Sequence, residues 1–197
     1  MALSVYTSLR DISVDDARAL SRPSQARCWK GTPLPHPFSW SVAIDPQTLW
    51  FVCSLPGGQL HSRGERQGEY VEGLWNRDVA ELFIKSPEGR YQEFNVAPSG
   101  AWWAMTLSEY RKRDAGAKRP HLTHISCTLG EGSWEVVAAF ERRSLDVDIA
   151  PSASIHVSGM WYHPEPTFLS SHPPHGVEPD YHHTGCFQPI TMVATPG

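Results

Sequence analysis

Apolar and polar positions along the chain alternate in short runs that break before a helix of three turns can develop. Ser39–Ile44 alternates, and Leu49–Leu55 is a continuous apolar run closed by Pro56-Gly57-Gly58; Asp45-Pro46 supplies the turn between these two predicted strands. Residues 57–73 are polar and glycine-rich, which predicts a long loop. Asp78–Ile84 and Tyr91–Val96 flank Ser86-Pro87-Glu88-Gly89 and read as a hairpin. Pro98-Ser99-Gly100 then turns into an apolar strand at Ala101–Leu107, followed by a basic loop from Arg111 to Pro120. His124–Leu129 and Trp134–Phe140 flank Gly130-Glu131-Gly132-Ser133, the plainest hairpin in the chain. Ser154–Trp161 alternates again, Pro164–Gly185 reads as a Pro- and His-rich loop, and Phe187–Met192 as a closing strand. A short helical turn is expected at Asp15–Leu20, stopped by Pro23.

About eight or nine short strands at near-regular spacing predict an all-β fold, a single antiparallel β-sandwich of jelly-roll or immunoglobulin-like type with long loops. Seventeen prolines and fifteen glycines support that reading by leaving few helix-length windows. No repeat or low-complexity linker divides residues 1–197, so one domain is expected. At this length a core closes without staples. The four cysteines, Cys28, Cys53, Cys127 and Cys186, form no C-x-x-C pair and read as reduced core thiols.

A formal charge of −4 gives no general attraction to phosphate backbones or anionic membranes, so neither nucleic acid nor membrane is an expected partner. The first ten residues lack a basic region followed by an apolar stretch, which predicts a cytoplasmic protein of bacterial type without a signal peptide. No run approaches the roughly 20 apolar residues of a membrane helix.

Trp75–Ile84 carries the chemistry. In a strand, Val79, Glu81 and Phe83 share one face and Ala80, Leu82 and Ile84 the other. Both faces are largely apolar, so Glu81 places a carboxylate where burial of an unpaired charge costs several kcal/mol or more. Two readings follow: Glu81 lines a pocket and accepts hydrogen bonds from ligand hydroxyls, or it pairs with Arg77, Arg90 or Arg111 to order the fold. In the expected hairpin register Asn95, with Glu93 on its own face, lies beside Glu81; its amide offers both donor and acceptor to a hydroxyl or to a loop backbone. Of eight tryptophans, Trp40, Trp50 and Trp134 belong to apolar strands and to the core. Trp75 follows Gly73-Leu74 at a loop-to-strand junction, where an indole stands at a rim and stacks on the C–H face of a sugar. Trp29, in Ala26–Gly31, is the second such candidate, with plain packing of an N-terminal loop as the competing reading.

These residues resemble a family. Trp75-x-x-Asp78-x-x-Glu81-Leu82-Phe83-Ile84 followed by Tyr91-x-x-Phe94-Asn95-Val96-x-Pro98-x-Gly100 is similar to the family 9 carbohydrate-binding modules and their DOMON-like relatives. Trp134–Phe140 resembles the family's W-x-V-E-A-A-I strand, and Glu178-Pro179-Asp180-Tyr181-His182 with Phe187 resembles its closing segment. The resemblance implies a non-catalytic β-sandwich that holds a small saccharide or related polyol between two tryptophans. It places Trp75 on one of them, Trp29 as candidate for the other, Glu81 on a sugar-contacting glutamate, and Asn95 where some members carry a ligand-contacting arginine. By the same resemblance calcium is a candidate loop-bound ion. DOMON relatives that ligate haem through Met with His or Lys make a cytochrome the first alternative, with Met105 and Met160 present. A metal-dependent hydrolase is the second, from His156, His163, His172, His175, His182 and His183, although no H-E-x-x-H motif accompanies them. Glu81 with Glu93 as a paired-carboxylate glycosidase, and an interaction module using the basic loop, complete the alternatives.

Overall fold

The computed structural model describes residues 2–57, 64–162 and 165–195. Its elements in chain order are β1 (Leu3–Thr7), α1 (Val14–Ala19), β2 (Ser24–Arg27), β3 (Pro33–Ile44), β4 (Thr48–Pro56), β5 (Val79–Lys85), β6 (Tyr91–Val96) and β7 (Trp102–Glu109). They continue with β8 (Lys112–Arg113), β9 (Leu122–Gly130), β10 (Ser133–Glu141), β11 (Ser154–Tyr162), β12 (Pro166–Ser170) and β13 (Gln188–Ala194). The expected hairpins are present: Ile44 pairs with Leu49, Lys85 with Tyr91 and Ser133 with Gly130.

Two sheets face one another. The first runs β13-β1-β3-β4-β10-β9 with β2 on β3, and the second runs β8-β7-β6-β5-β11 with β12 on β11. β13 joins them: Gln188 and Pro189 pair with β11, and from Ile190 onward the strand pairs with β1. The sandwich is antiparallel except around β1, which lies parallel to both β13 and β3. Inward positions of both sheets, among them Phe51, Leu55, Leu82, Ile84, Phe94, Trp102, Phe140 and Val157, form the central core.

Both outer faces are also apolar, and each has its own cover. On the first sheet Ala43, Trp50, Val52, Val137 and Ala139 pack under α1 through Ala17 and Leu20. Ser13 caps that helix by accepting from the Asp16 amide, with Asp16 returning the contact, and Leu20 in extended conformation ends it three residues before Pro23. On the second sheet Phe83, Tyr91 and Leu107 pack against Tyr181, Cys186 and Phe187 of the C-terminal segment. This double cover explains why β5 is apolar on both sides. Trp40 and Trp134 lie in the central core and Trp50 under α1, all three buried as expected. All four cysteines are unpaired thiols.

The differences from the sequence expectation fall where pattern and pairing part company. β12 lies inside the stretch read as a Pro- and His-rich loop; it is a short edge strand held by β11. β3 begins six residues earlier than its alternation suggested, because Pro33, Pro35 and Pro37 are tolerated where only short β2 flanks the strand. Residues 58–63 of the expected long loop, and Pro164, lie outside the described residues. No described helix is long and apolar enough to cross a membrane.

The two sheets are in close contact at Gly159 of β11. A Cβ there would fall inside the contact radius of the Leu55 side chain from the opposite sheet and 2.9 Å from the Val79 carbonyl oxygen. Gly159→Ala is expected to destabilise the fold by about 1–3 kcal/mol, read as a lower midpoint in urea denaturation; an unchanged midpoint would show that the sheets are not in contact there.

Candidate functional site

The β5–β6 register sets Glu81 opposite Asn95 and Phe83 opposite Glu93. Across β5 the partners are Ser158 and His156 of β11; across β6 they are Trp103 and Met105 of β7. All these side chains share the outer face of the second sheet, since positions directly opposite in a ladder point the same way. Glu81 and Glu93 are diagonal neighbours on that face, with backbones roughly 7–8 Å apart, so two carboxyl groups stand side by side among aromatic and aliphatic residues. They retain only 2% and 3% exposure.

Each carboxyl has one neutral donor. The Ser158 hydroxyl donates to Glu81 at 2.9 Å, and the Asn95 amide donates to Glu93 at 2.7 Å. Among the described residues no arginine or lysine pairs with either. The three arginines offered by sequence as partners are engaged elsewhere: Arg77 with Glu65, Arg90 with Asp114 at 2.8 Å, and Arg111 with Asp180 at 2.8 Å. Burial, reinforced by the charge of Glu93, holds the Glu81 carboxyl well above the usual range, against the pull of Ser158. Burial likewise raises Glu93 to about 7, opposed by Asn95 and by the charges of Arg113 and Arg111. The two therefore titrate as a pair that retains a proton to near neutrality.

A segment of the C-terminal tail roofs part of this face. Tyr181 anchors it: its hydroxyl donates to the Gly159 carbonyl and accepts from the Leu169 amide at 3.1 Å. Its carbonyl receives Nδ1–H of His156 at 3.2 Å, which leaves Nε2 to accept from the Ser170 hydroxyl at 2.8 Å. His156 is fully buried and stacks on Phe83, and burial pushes it down to about 3, so the ring is neutral. Asp180 ties the roof to the neighbouring loop through Arg111 and through the Tyr110 hydroxyl at 2.7 Å. Tyr91 accepts from the Arg111 amide at 3.0 Å and donates to Nδ1 of His182 at 2.9 Å. That bond turns Nε2–H of His182 toward Glu93, 3.9 Å away. Burial, with the Arg111 charge, lowers His182 to about 4, so this contact is a weak dipole rather than an ion pair at neutral pH.

Beside the roof a cleft of about 320 Å³ remains open. Glu81, Glu93 and Phe83 reach its floor, while Trp75, Arg111, Arg113, Phe168 and Asp180–His182 stand around it. Trp75 lies in a single 3-10 turn, Leu74–Asn76, which Gly73 enters with φ of 87°, a left-handed conformation that a side chain would strain. Leu74 is sealed beneath the turn, and the half-buried Trp75 ring rests on Trp103, centroids 5.0 Å apart. Arg113 lies over the Trp103 ring at 5.2 Å and pairs with Glu72 at 2.6 Å.

Of the four residues singled out from sequence, Trp75 and Glu81 meet in this cleft and two do not line it. Asn95 shares the face of Glu81 but is wholly buried, and its amide holds Glu93 in place. Trp29 is 9% exposed, donates Nε1–H to the Val177 carbonyl at 2.8 Å and leans on Tyr181; it secures the roof and does not line the cleft. Packing of an N-terminal loop, the competing reading of Trp29, describes this placement. Glu93, Arg111, Arg113 and the Asp180–His182 segment join the cleft without having been singled out as ligand contacts. The alternation of β6 put Glu93 on the Glu81 face if Asn95 was there, which was the one signal for it.

Met105, Met160 and His182 all line the cleft, but both nitrogens of His182 are oriented by Tyr91 and Glu93. Among the described residues no three His, Cys, Asp or Glu side chains are arranged to hold a metal ion; His163 lies outside those residues.

No family model matches the sequence, and no curated protein is significantly similar to it. The fold itself has solved counterparts: it is that of the family 9 carbohydrate-binding modules. A Caldicellulosiruptor kristjanssonii module of that family, solved in complex with cellotriose, superposes with a TM-score of 0.65 at 9% identity over 97% of this chain and 93% of the other. A family 9 module from the same organism in complex with glucose gives 0.61 at 12% identity, covering 98% and 95%. A provisionally assigned carbohydrate-binding protein of Bacteroides uniformis ATCC 8492 gives 0.64 at 14% identity, covering 98% of each chain.

The raised carboxyl makes a prediction about stability. Unfolded, Glu93 ionises near 4.5; folded, it keeps its proton to about 7. Its contribution to stability is therefore lost as pH rises from 4.5 through 7, because over that window the folded state binds more protons than the unfolded state. Glu93→Gln, which keeps an acceptor for Asn95, is expected to be increasingly more stable than the parent between pH 5 and pH 8. The difference should reach on the order of 2 kcal/mol in paired denaturation curves. A difference independent of pH would place Glu93 in water.

Proposed function

We propose that this chain is a non-catalytic saccharide-binding module whose ligand enters the cleft beside Trp75 and rests on Glu81 and Glu93. The observation that carries this reading is the convergence of a rim indole and a carboxyl pair in one cleft. An indole presents a flat apolar surface that matches the C–H face of a pyranose. The carboxyl pair, sharing a proton, both donates to and accepts from ring hydroxyls. Burial removes water that would otherwise compete for those bonds, and the Ser158 and Asn95 donors fix the carboxyls before a ligand arrives. Arg111 and Arg113 supply further donors at the mouth. The volume is at the small end of the roughly 300–1,000 Å³ typical of small-molecule sites, which suits one sugar unit at the floor with any remainder outside. Structural likeness to modules solved with glucose and cellotriose supports the same reading.

Titration of intrinsic tryptophan fluorescence with glucose and cellotriose is expected to saturate. Trp75→Ala should weaken binding roughly tenfold, on the order of 1–2 kcal/mol, while leaving the circular-dichroism melt in place. Undiminished affinity in the folded variant, or no saturation in the parent, would overturn the assignment.

A further inference from the structure

The floor of the cleft carries more acceptor capacity than a neutral sugar satisfies. Glu81 and Glu93 together present four carboxyl oxygens, of which Ser158 and Asn95 address two. Glu93 Oε2 receives no hydrogen bond from the described residues, although the side chain is only 4% exposed and lines the cleft. Hydroxyls bring one donor and two lone pairs each, so a neutral sugar that fills one acceptor sets its own lone pairs beside another. An ammonium group brings three donors, no acceptor and a positive charge.

The groups around the pair favour such a cation. His156 and Ser158 of β11 are neutral, as are Tyr91 of β6 and Tyr181 and His182 of the roof. Arg111 and Arg113, the positive groups near the mouth, are each opposed by a carboxylate, Asp180 and Glu72. Trp75, Phe83, Phe168 and Tyr181 line the walls with aromatic rings, whose negative faces attract a desolvated cation. A uronate or sugar phosphate would instead bring its charge against the two glutamates.

We propose that the preferred ligand carries a protonated amine, as an amino sugar or amino-polyol, with its ammonium seated on Glu81 and Glu93 inside the ring of aromatic side chains. This refinement rests on the saccharide-binding reading and names the ligand class of the same cleft.

Isothermal titration at pH 7.5, where Glu93 has largely given up its proton and much of the amine still holds its own, with glucose, glucosamine and N-acetylglucosamine separates the two. Glucosamine is expected to bind roughly tenfold or more tightly than glucose, and acetylation, which removes the charge and keeps the ring, should abolish the advantage. In Glu93→Gln, and separately in Glu81→Gln, the glucosamine-to-glucose affinity ratio should fall toward one. Equal affinities for glucose and glucosamine in the parent, or a ratio unmoved by both substitutions, overturn the amine preference and leave saccharide binding standing. Absence of heat with all three sugars overturns saccharide binding itself.

Discussion

Two carboxyl groups held side by side on an otherwise apolar sheet face are the constraint around which the second sheet is organised. Burial of a charge without a cationic partner is costly, and Glu81 and Glu93 have none among the described residues. The cost is met locally: a proton is retained between them, and Ser158 and Asn95 each give a neutral hydrogen bond. A fold that only needed a core would place Val or Leu at these positions, as it does at Leu82 and Phe94 on the opposite face. Polar groups retained in this manner at the floor of a cleft are what the proposed ligand-binding reading rests on.

The remainder of the outer face is closed off by the C-terminal tail, and three of the histidines that crowd the tail and its neighbouring strand take part in that closure. His156 receives the tail through its neutral ring, His182 aligns with Tyr91, and the His183 ring accepts from the Gly185 amide. Trp29 works from the other side by fixing Val177. These contacts leave Trp75 and the tail lining one opening. In the proposed reading recognition and fold stability are thereby separated: the indole proposed to meet the ligand rests on Trp103, while the indole that holds the roof is buried.

Local pattern was enough to read the β5–β6 hairpin and its faces. Alternation assigned Glu81 and Asn95 to the same side, the turn at Ser86–Gly89 set the register, and both followed from residues close in sequence. What escaped depends on distant pairing. β1 is parallel to strands more than thirty-five and more than one hundred and eighty residues away, Ser4 meeting Thr191 and Val5 meeting Val42. β12 owes its strand conformation to β11 rather than to its own composition. The position of Trp29 was illegible for the same reason, since an indole in a polar stretch is indistinguishable from a platform until the tail that covers it is placed. Asn95 shows a subtler limit: sharing a face with Glu81 does not decide which side chain reaches the cleft, and Asn95, opposite Trp103, is wholly buried with its amide on Glu93.

The two carboxyls are buried together and, in the proposed reading, still face a ligand. Carbon-13 NMR of the glutamate side-chain carboxyl resonances across pH, with and without saturating sugar, tests it most directly. The resonance of Glu93 is expected to titrate near 7 and that of Glu81 well above the usual carboxylate range, with coupled transitions, and both are expected to move when sugar is added. Independent titration of both near 4.5, unaltered by sugar, would contradict it.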